Sequence, residues 1–292
     1  MQLSICIPIY QLPVHELVAA LQAQLRSLKL EAEILLLDDG SAPEIQQKNE
    51  KLAQEPAVRY QELPENVGRA AIRNQLAQRA QGEFLLFLDC DSAVISDEFL
   101  ERYWQARLKG GVVCGGRQYP TEVEAQYALH HRYGTQRESA VAGKQAHTFH
   151  SNNFLIDGSL FDQVRFNENL KKYGHEDTLF GWQLQRQGLP VRCLNNPVLH
   201  AQLETSQEFL AKTRAGLQNI LLLAQADAKQ ALAVFPMYRL ALKVQALGLG
   251  PFFKWLFQKR QKAWERQLCS KSPSLRVFDL YRLGYLVQQL KS

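Results

Sequence analysis

The sequence predicts an α/β protein built on a doubly wound, mostly parallel central sheet flanked by helices, and three observations carry that expectation. Short apolar runs recur at strand length, each is followed by a segment with apolar residues at helical spacing, and several runs end abruptly in carboxylates. Strands that alternate with helices in this rhythm assemble into parallel sheets with right-handed crossovers. Ligands of such sheets bind beyond the carboxyl ends of the strands, so the polar residues just past each run are the ones to question.

Leu3 to Ile9 is the first predicted strand, with Pro8 inside it and Tyr10 just beyond. Residues 14–28 set Leu17, Leu21, Leu25 and Leu28 at helical spacing, and 33-EILLLDDGS-41 is a second buried strand that ends in Asp38 and Asp39. A helix from about Pro43 to Gln54, a strand at 57-AVRYQEL-63, a helix from Gly68 to Ala80 and the strand 83-EFLLFLD-89 continue the alternation. Beyond Asp91 the pattern is mixed. A helix over 97–110, the strand 112-VVCGG-116 and a polar, aromatic stretch to about His150 precede the strand 151-SNNFLI-156. A short helix from Ser159 and a helix opened by 173-YGHEDTLFG-181 follow, and Cys193 and Leu199 flank a turn containing Pro197. The remainder reads as helical, with Phe209 to Ala226 amphipathic and two or three helices after it.

At 292 residues the chain exceeds the usual span of one domain, about 100–200 residues. We divide it into a sheet domain over 1–204, in halves 1–92 and 93–204, and a helical extension over 205–292. The formal net charge of +5 is uneven: from Lys229 onward there are twelve Lys/Arg against two Asp/Glu, so the basicity lies in the extension. Five scattered cysteines, Cys6, Cys90, Cys114, Cys193 and Cys269, show no zinc spacing and suit a reducing compartment. The first residues, MQLSICIPIY, read as a strand rather than a signal peptide, and no apolar run reaches about 18 residues, so a cytoplasmic protein is expected.

Asp89 and Asp91 follow LLFL with Cys90 between them, and strand alternation sends both carboxylates to one side, where they can share a hard divalent cation. A turn cluster ahead of the helix near Asp97 is the other reading. Asp38 and Asp39 can accept hydrogen bonds from a base N–H and ribose hydroxyls, or form a turn in which Ser41 caps the helix that Pro43 enters. Asn66-Val67-Gly68-Arg69 opens a helix with free N–H groups and a cation, and Arg73 lies one turn on. It is an anion site or a solvated face. His175, Glu176 and Asp177 stand side by side as a metal cluster, a catalytic base or a polar helix start. His130, His131, His147 and His150 show no metal spacing and line a mobile loop or face solvent.

Taken in order, ICIPIY, LLLDDGS, ENVGRAAIRN, FLLFLDCDS and FNENLKKYGHEDTLFGWQLQRQG resemble the motifs of the inverting family 2 glycosyltransferases, which share the GT-A nucleotide-diphospho-sugar transferase fold. The resemblance covers about residues 3–200 and leaves the extension outside. It implies that Asp38 and Asp39, with Pro8 and Tyr10, hold the nucleoside of a nucleotide-sugar donor, with UDP expected. It implies that Arg69 or Arg73 approaches the base or diphosphate, with Cys90 beside them. Asp91, less directly Asp89, and the late His200 would hold Mn²⁺ or Mg²⁺, and Asn153 would line the donor sugar or acceptor pocket. Asp177 would be the base that activates an acceptor hydroxyl, with Glu176 its rival, and His175 and Trp182 would face a glycan or lipid-linked acceptor. Surface polysaccharide or glycolipid synthesis is the implied setting.

A sugar nucleotidyltransferase would need a Gly-rich, basic loop directly after the first strand, and IPIYQLPVHE offers none. A non-catalytic nucleotide-sugar-binding scaffold remains open. The basic, aromatic residues 234–266 suit the interface of an anionic membrane, a helical subdomain packed on the core, or a contact between copies of the chain. Nucleic acid is not expected, because no binding motif accompanies the charge.

Overall fold

The structure, a computed structural model, describes residues 1–139, 149–170, 174–200 and 202–290; His147 and Tyr173, the first residue of the YGHED stretch, lie outside them. The chain groups into two compact units, one of residues 1–120, 137–171 and 176–202, the other of 121–136, 172–175 and 203–292.

The first unit holds ten described strands: β1 (Leu3–Ile9), β2 (Ala32–Asp38), β3 (Val58–Glu62), β4 (Phe84–Leu88), β5 (Ser92–Val94), β6 (Val112–Cys114), β7 (Arg117–Gln118), β8 (Asn153–Asp157), β9 (Val191–Cys193) and β10 (Val198–His200). Seven form one sheet in the order β3-β2-β1-β4-β8-β6-β9, and β5-β10-β7 form a small second sheet. β1 to β4 pair in parallel, as do β6 and β9, while β8 runs antiparallel to both neighbours. The expected α/β architecture is therefore present, with one reversed strand. The four short strands β5, β7, β9 and β10 carry too few residues for any apolar period to announce them.

Alternation along the strands divides the core. Leu3, Ile5, Ile7 and Ile9 of β1, with Ile34 and Leu36 of β2, pack against Leu17, Val18 and Leu21 of the helix His15–Leu28 and against Phe99 and Tyr103 of the helix Phe99–Ala106. Cys6, Leu35, Leu37, Leu85 and Phe87 turn to the other face, under Ile72 and Leu76 of the helix Arg69–Arg79 and Phe180 and Leu184 of the helix Glu176–Arg186. On that face Phe166 stacks on Phe180 at 4.3 Å and Phe87 on Phe154 at 4.9 Å. Each such side chain removed from water stabilises the fold by about 1.5–3 kcal/mol, which fixes strand register and holds the carboxyl ends of the strands in place.

The helical unit contains Ser206–Ala226, Ala228–Val234, Pro236–Ala246, Gly250–Leu268 and Leu275–Gln289, four helices after the first where two or three were expected. Asp227 caps the second by accepting from Gln230 N, and Pro236 opens the third, so short-range capping splits what reads as longer helices. A capping box between Thr205 and Glu208 starts the first. The polar, aromatic stretch after β6 also holds a short helix, Ala128–Tyr133, in which His130 is buried and accepts a hydrogen bond from Glu204 N at 3.0 Å instead of facing solvent. Among the described residues no helix is long and apolar enough to cross a membrane.

Glu33 of β2 is 2% exposed, and its carboxylate accepts from Ser4 Oγ at 2.6 Å, Arg59 Nη1 at 2.6 Å and Gln81 N at 2.7 Å. Burial works against its ionisation, but these three bonds outweigh it and hold the carboxyl below its usual value. A carboxylate lowered on folding stabilises above its unfolded value, about 4.3, and that contribution disappears as pH falls through the folded one. Glu33→Ala is expected to lower stability by about 2–3 kcal/mol at neutral pH, and urea unfolding should show the difference from wild type shrinking below about pH 4.

Candidate functional site

The polar residues at the carboxyl edge of the sheet belong to the first unit and are positioned by short turns. After β2, Asp39 N donates to Ile9 O at 2.8 Å, which ties the ends of β1 and β2 together. Asp38 is fully buried, and its Oδ1 accepts from Ser41 N at 2.7 Å. Its carboxylate therefore holds the turn that follows β2. Ser41 is not the helix cap; the helix Pro43–Glu50 is preceded by Ala42, and Ser41 Oγ instead accepts from Gln11 N at 2.8 Å. Gly40 stands at φ 70°, and a Cβ there would lie 2.9 Å from the carbonyl carbon of Glu65, so only glycine lets the two loops approach.

Asp39 accepts from Val67 N at 2.7 Å and Gly68 N at 3.2 Å, fastening the loop that launches the helix Arg69–Arg79. Burial and the nearby Asp38 raise its carboxyl above the usual value against those two bonds. Arg69, the first residue of the helix, is exposed, while Arg73 is 2% exposed. Arg73 Nη2 donates to Asp89 Oδ1 at 2.6 Å, and its Nη1 lies 3.8 Å from Glu176 Oε1. Arg117 adds a second, longer bond to Asp89 at 3.4 Å.

β4 ends at Leu88, and Ser92 N closes a turn on Asp89 O at 3.1 Å, so strand alternation no longer governs residues 89–91. The two aspartates consequently have different partners. Asp89 meets guanidinium groups. Asp91 lies with its Oδ2 3.5 Å from His200 Nδ1, and its buried Oδ1 has no hydrogen-bond partner among the described residues. Burial disfavours the charge on Asp91, but His200, Arg117 and Arg69 outweigh it and hold the carboxyl well below its usual range. An unmatched carboxylate oxygen beside an imidazole is a donor pair that accepts Mn²⁺. Among the described residues no three His, Cys, Asp or Glu side chains gather as a metal site, so any cation would take its remaining ligands from water and substrate phosphates. Cys90 is a poor nucleophile: burial, with Asp91 beside it, pushes its thiol up to about 12.

The helix Glu176–Arg186 brings two carboxylates to the same edge with different surroundings. The side chain of Glu176 is 7% exposed beside Arg73, and burial together with Asp177 raises its carboxyl. The Asp177 side chain is 27% exposed, with its Oδ2 3.6 Å from His150 Nδ1. Burial opposes protonation of His150, but Asp177 and Glu138 overcome it and raise the imidazole above its usual value.

Residues 4–165, more than half of the chain, match the sequence model of Glycosyl transferase family 2. The chain belongs to that family. An uncharacterized glycosyltransferase of Haemophilus influenzae is 28% identical over 157 residues, 51% of this chain and 58% of that relative, so the match spans little more than half of the relative's length. The fold is similar to TarS 1-349 of S. aureus in complex with UDP, with 18% identity, TM-score 0.55 and coverage of 99% of this chain and 90% of that one. It is also similar to the mannosyltransferase PcManGT from Pyrobaculum calidifontis in complex with GDP-Man and Mn²⁺, with 14% identity, TM-score 0.60 and coverage of 98% and 85%. At these identities the likeness shows the GT-A-like fold alone.

The other residues expected at the site have varied surroundings. Asn153 is buried and committed to the scaffold: its Oδ1 accepts from Tyr103 OH at 2.7 Å and its Nδ2 donates to Gly116 O and Asn196 O, each at 3.0 Å. Those bonds turn its amide toward the protein. Pro8 lies within β1, and Tyr10 is 51% exposed just past it. Trp182 is half-buried with the Arg186 guanidinium 5.2 Å above its ring. His175 groups with the helical unit, at φ 75° and with its ring edge-on to Phe235 at 4.9 Å. His150, Arg117 and Glu138, which were not among the expected residues, contact Asp177 and Asp89 or each other; Arg117, which lies 3.6 Å from Glu138, follows β6 and obeys the same strand-end rule that singled out the aspartates.

Removing the buried guanidinium leaves Asp89 with the longer Arg117 bond and takes from Glu176 the cation 3.8 Å away. Arg73→Met is expected to lower stability by about 3–5 kcal/mol, and Arg73→Met with Asp89→Asn should recover part of the loss in urea unfolding.

Proposed function

We propose that this family 2 member is an inverting glycosyltransferase that moves a sugar from a nucleoside diphosphate, UDP, to a hydroxyl of a glycan or lipid-linked acceptor in surface polysaccharide or glycolipid synthesis. The observation that carries the reading is the pairing at one sheet edge of Asp91, whose buried Oδ1 has no hydrogen-bond partner among the described residues, with His200, beside an Arg73-centred network and the partly exposed Asp177. TarS in complex with UDP and with UDP-GlcNAc supports a UDP-sugar donor. Five free cysteines fit a cytoplasmic setting.

Asp39 and Tyr10 flank the nucleoside in this reading, and Arg69 at the helix N-terminus receives the diphosphate. Arg69 already acts electrostatically on both Asp91 and Glu176. Asp91 and His200 would hold Mn²⁺ or Mg²⁺, which supplies positive charge to the departing nucleoside diphosphate. Arg73 and Arg117 fix Asp89, so the 89–91 turn keeps Asp91 aimed at the phosphates. Asp177 takes the proton of the acceptor hydroxyl as its oxygen bonds to the anomeric carbon and the bond to the β-phosphate oxygen breaks on the opposite face, inverting the configuration. Its greater exposure favours it over Glu176 as the base; Glu176 lies against Arg73 and keeps the helix start in position.

UDP release from a panel of UDP-sugars with Mn²⁺ tests the reading, and failure of the wild type to bind any nucleotide would sink it. Asp91→Ala should abolish metal-dependent nucleotide binding. Asp177→Asn should keep nucleotide affinity and lower kcat by at least about a hundredfold, while Glu176→Gln should lower it less. The charged imidazole of His150 weakens Asp177 as a base, so kcat should rise as pH climbs through the raised titration of His150, above about 6.5. His150→Gln should move that rise to lower pH.

A further inference from the structure

The helical unit carries a surface that the transferase chemistry does not use. Five large apolar side chains stand exposed in a short span: Leu240, Leu247, Leu249, Phe252 and Trp255, with Leu247 at 73%. They are organised by the helices that bear them. In Pro236–Ala246 the buried Tyr238, Ala241 and Val244 form the inner face, and Arg239, Leu240, Lys243 and Ala246 form the exposed one. In Gly250–Leu268 the exposed Phe252, Trp255, Lys259, Lys262 and Arg266 recur at alternating steps of three and four, a single stripe opposite the buried Phe257 and Leu268. The turn Leu247-Gly248-Leu249 joins the two helices and is itself exposed.

The charge on these stripes has one sign. Glu265, the one acid of the longer helix, accepts from Arg214 and Tyr281 instead of pairing with the stripe. Among the described residues no ion pair neutralises Arg239, Lys243, Lys259, Lys262 or Arg266. The result is a bulky apolar tip continued by a cationic row.

We propose that the turn Leu247–Leu249 and the exposed stripes on either side of it dock on an anionic lipid surface. Leu247, Leu249, Phe252 and Trp255 enter the boundary between headgroups and acyl chains, and the Lys and Arg side chains face the lipid phosphates. Charge complementarity selects this occupant. A second copy of the chain would bring the same cations against each other, and a nucleic acid would gain from the cations and Trp255 but nothing from the leucines. The docking requires no donor, metal or acceptor, so it stands or falls apart from the transferase reading.

Flotation of the full chain with vesicles tests it, using phosphatidylcholine with about 30% phosphatidylglycerol against phosphatidylcholine alone. Binding to the anionic vesicles alone, weakened by salt, is the expected result. Phe252→Ser with Trp255→Ser should weaken it by at least about tenfold, with the thermal unfolding midpoint unchanged because both side chains are exposed. Lys259→Glu with Lys262→Glu should weaken it further than about fivefold per charge. No binding to anionic vesicles would overturn the proposal, as would binding indifferent to the Phe252 and Trp255 substitutions. Loss of a dimer in light scattering on those substitutions, without vesicle binding, would assign the face to a second copy. Tighter binding to a single-stranded oligonucleotide than to the vesicles would assign it to nucleic acid.

Discussion

The arrangement at the sheet edge depends on one buried positive charge. A guanidinium that is almost fully enclosed must be matched by carboxylates and hydrogen-bond acceptors, because its desolvation has no other compensation. Arg73 finds Asp89 at the end of β4, the carbonyl of Arg69 one turn back, and Glu176 at the start of a helix distant in sequence. Three segments that share no local contact are thereby held to one point. Asp91 and Asp177 owe their positions to neighbours that Arg73 fixes, so the site is electrostatically assembled as well as sterically packed.

Much of this was legible in the chain. The apolar periods gave the parallel strands, because a strand buried on both faces must be apolar throughout, and LLFL or EILLL admits no other reading once helices flank it. The strand-end rule then pointed to Asp39, Asp89, Asp91 and Arg69. Less visible was how polar atoms are shared out. The family resemblance set Asn153 of SNNFLI beside a donor sugar or acceptor; only the fold reveals that Tyr103, Gly116 and Asn196 bond its buried amide. Asp38 is a similar case, its carboxylate satisfied three residues on by a backbone N–H. His150 was hidden because its partner Asp177 lies far along the chain and no spacing links them.

Likewise, the three-residue strands of the small sheet were invisible to periodicity, yet they matter to the chemistry. β10 pairs with β5 so that His200 stands opposite Ser92, the residue after Asp91. A ladder of three pairs thus determines which late histidine reaches the aspartate.

The reversed strand β8 has a consequence of a different kind. Because β8 is antiparallel to β6, with Cys114 opposite Phe154, the chain leaves the sheet at the end of β6 and re-enters it at the start of β8 on the same edge. Residues 115–152 are therefore an excursion whose two ends are anchored side by side, Gly115 N bonding Asn153 O at 3.0 Å. Lengthening, shortening or exchanging the middle of that excursion shifts no strand register. The pairing of the main sheet is thus set independently of how many residues join β6 to β8.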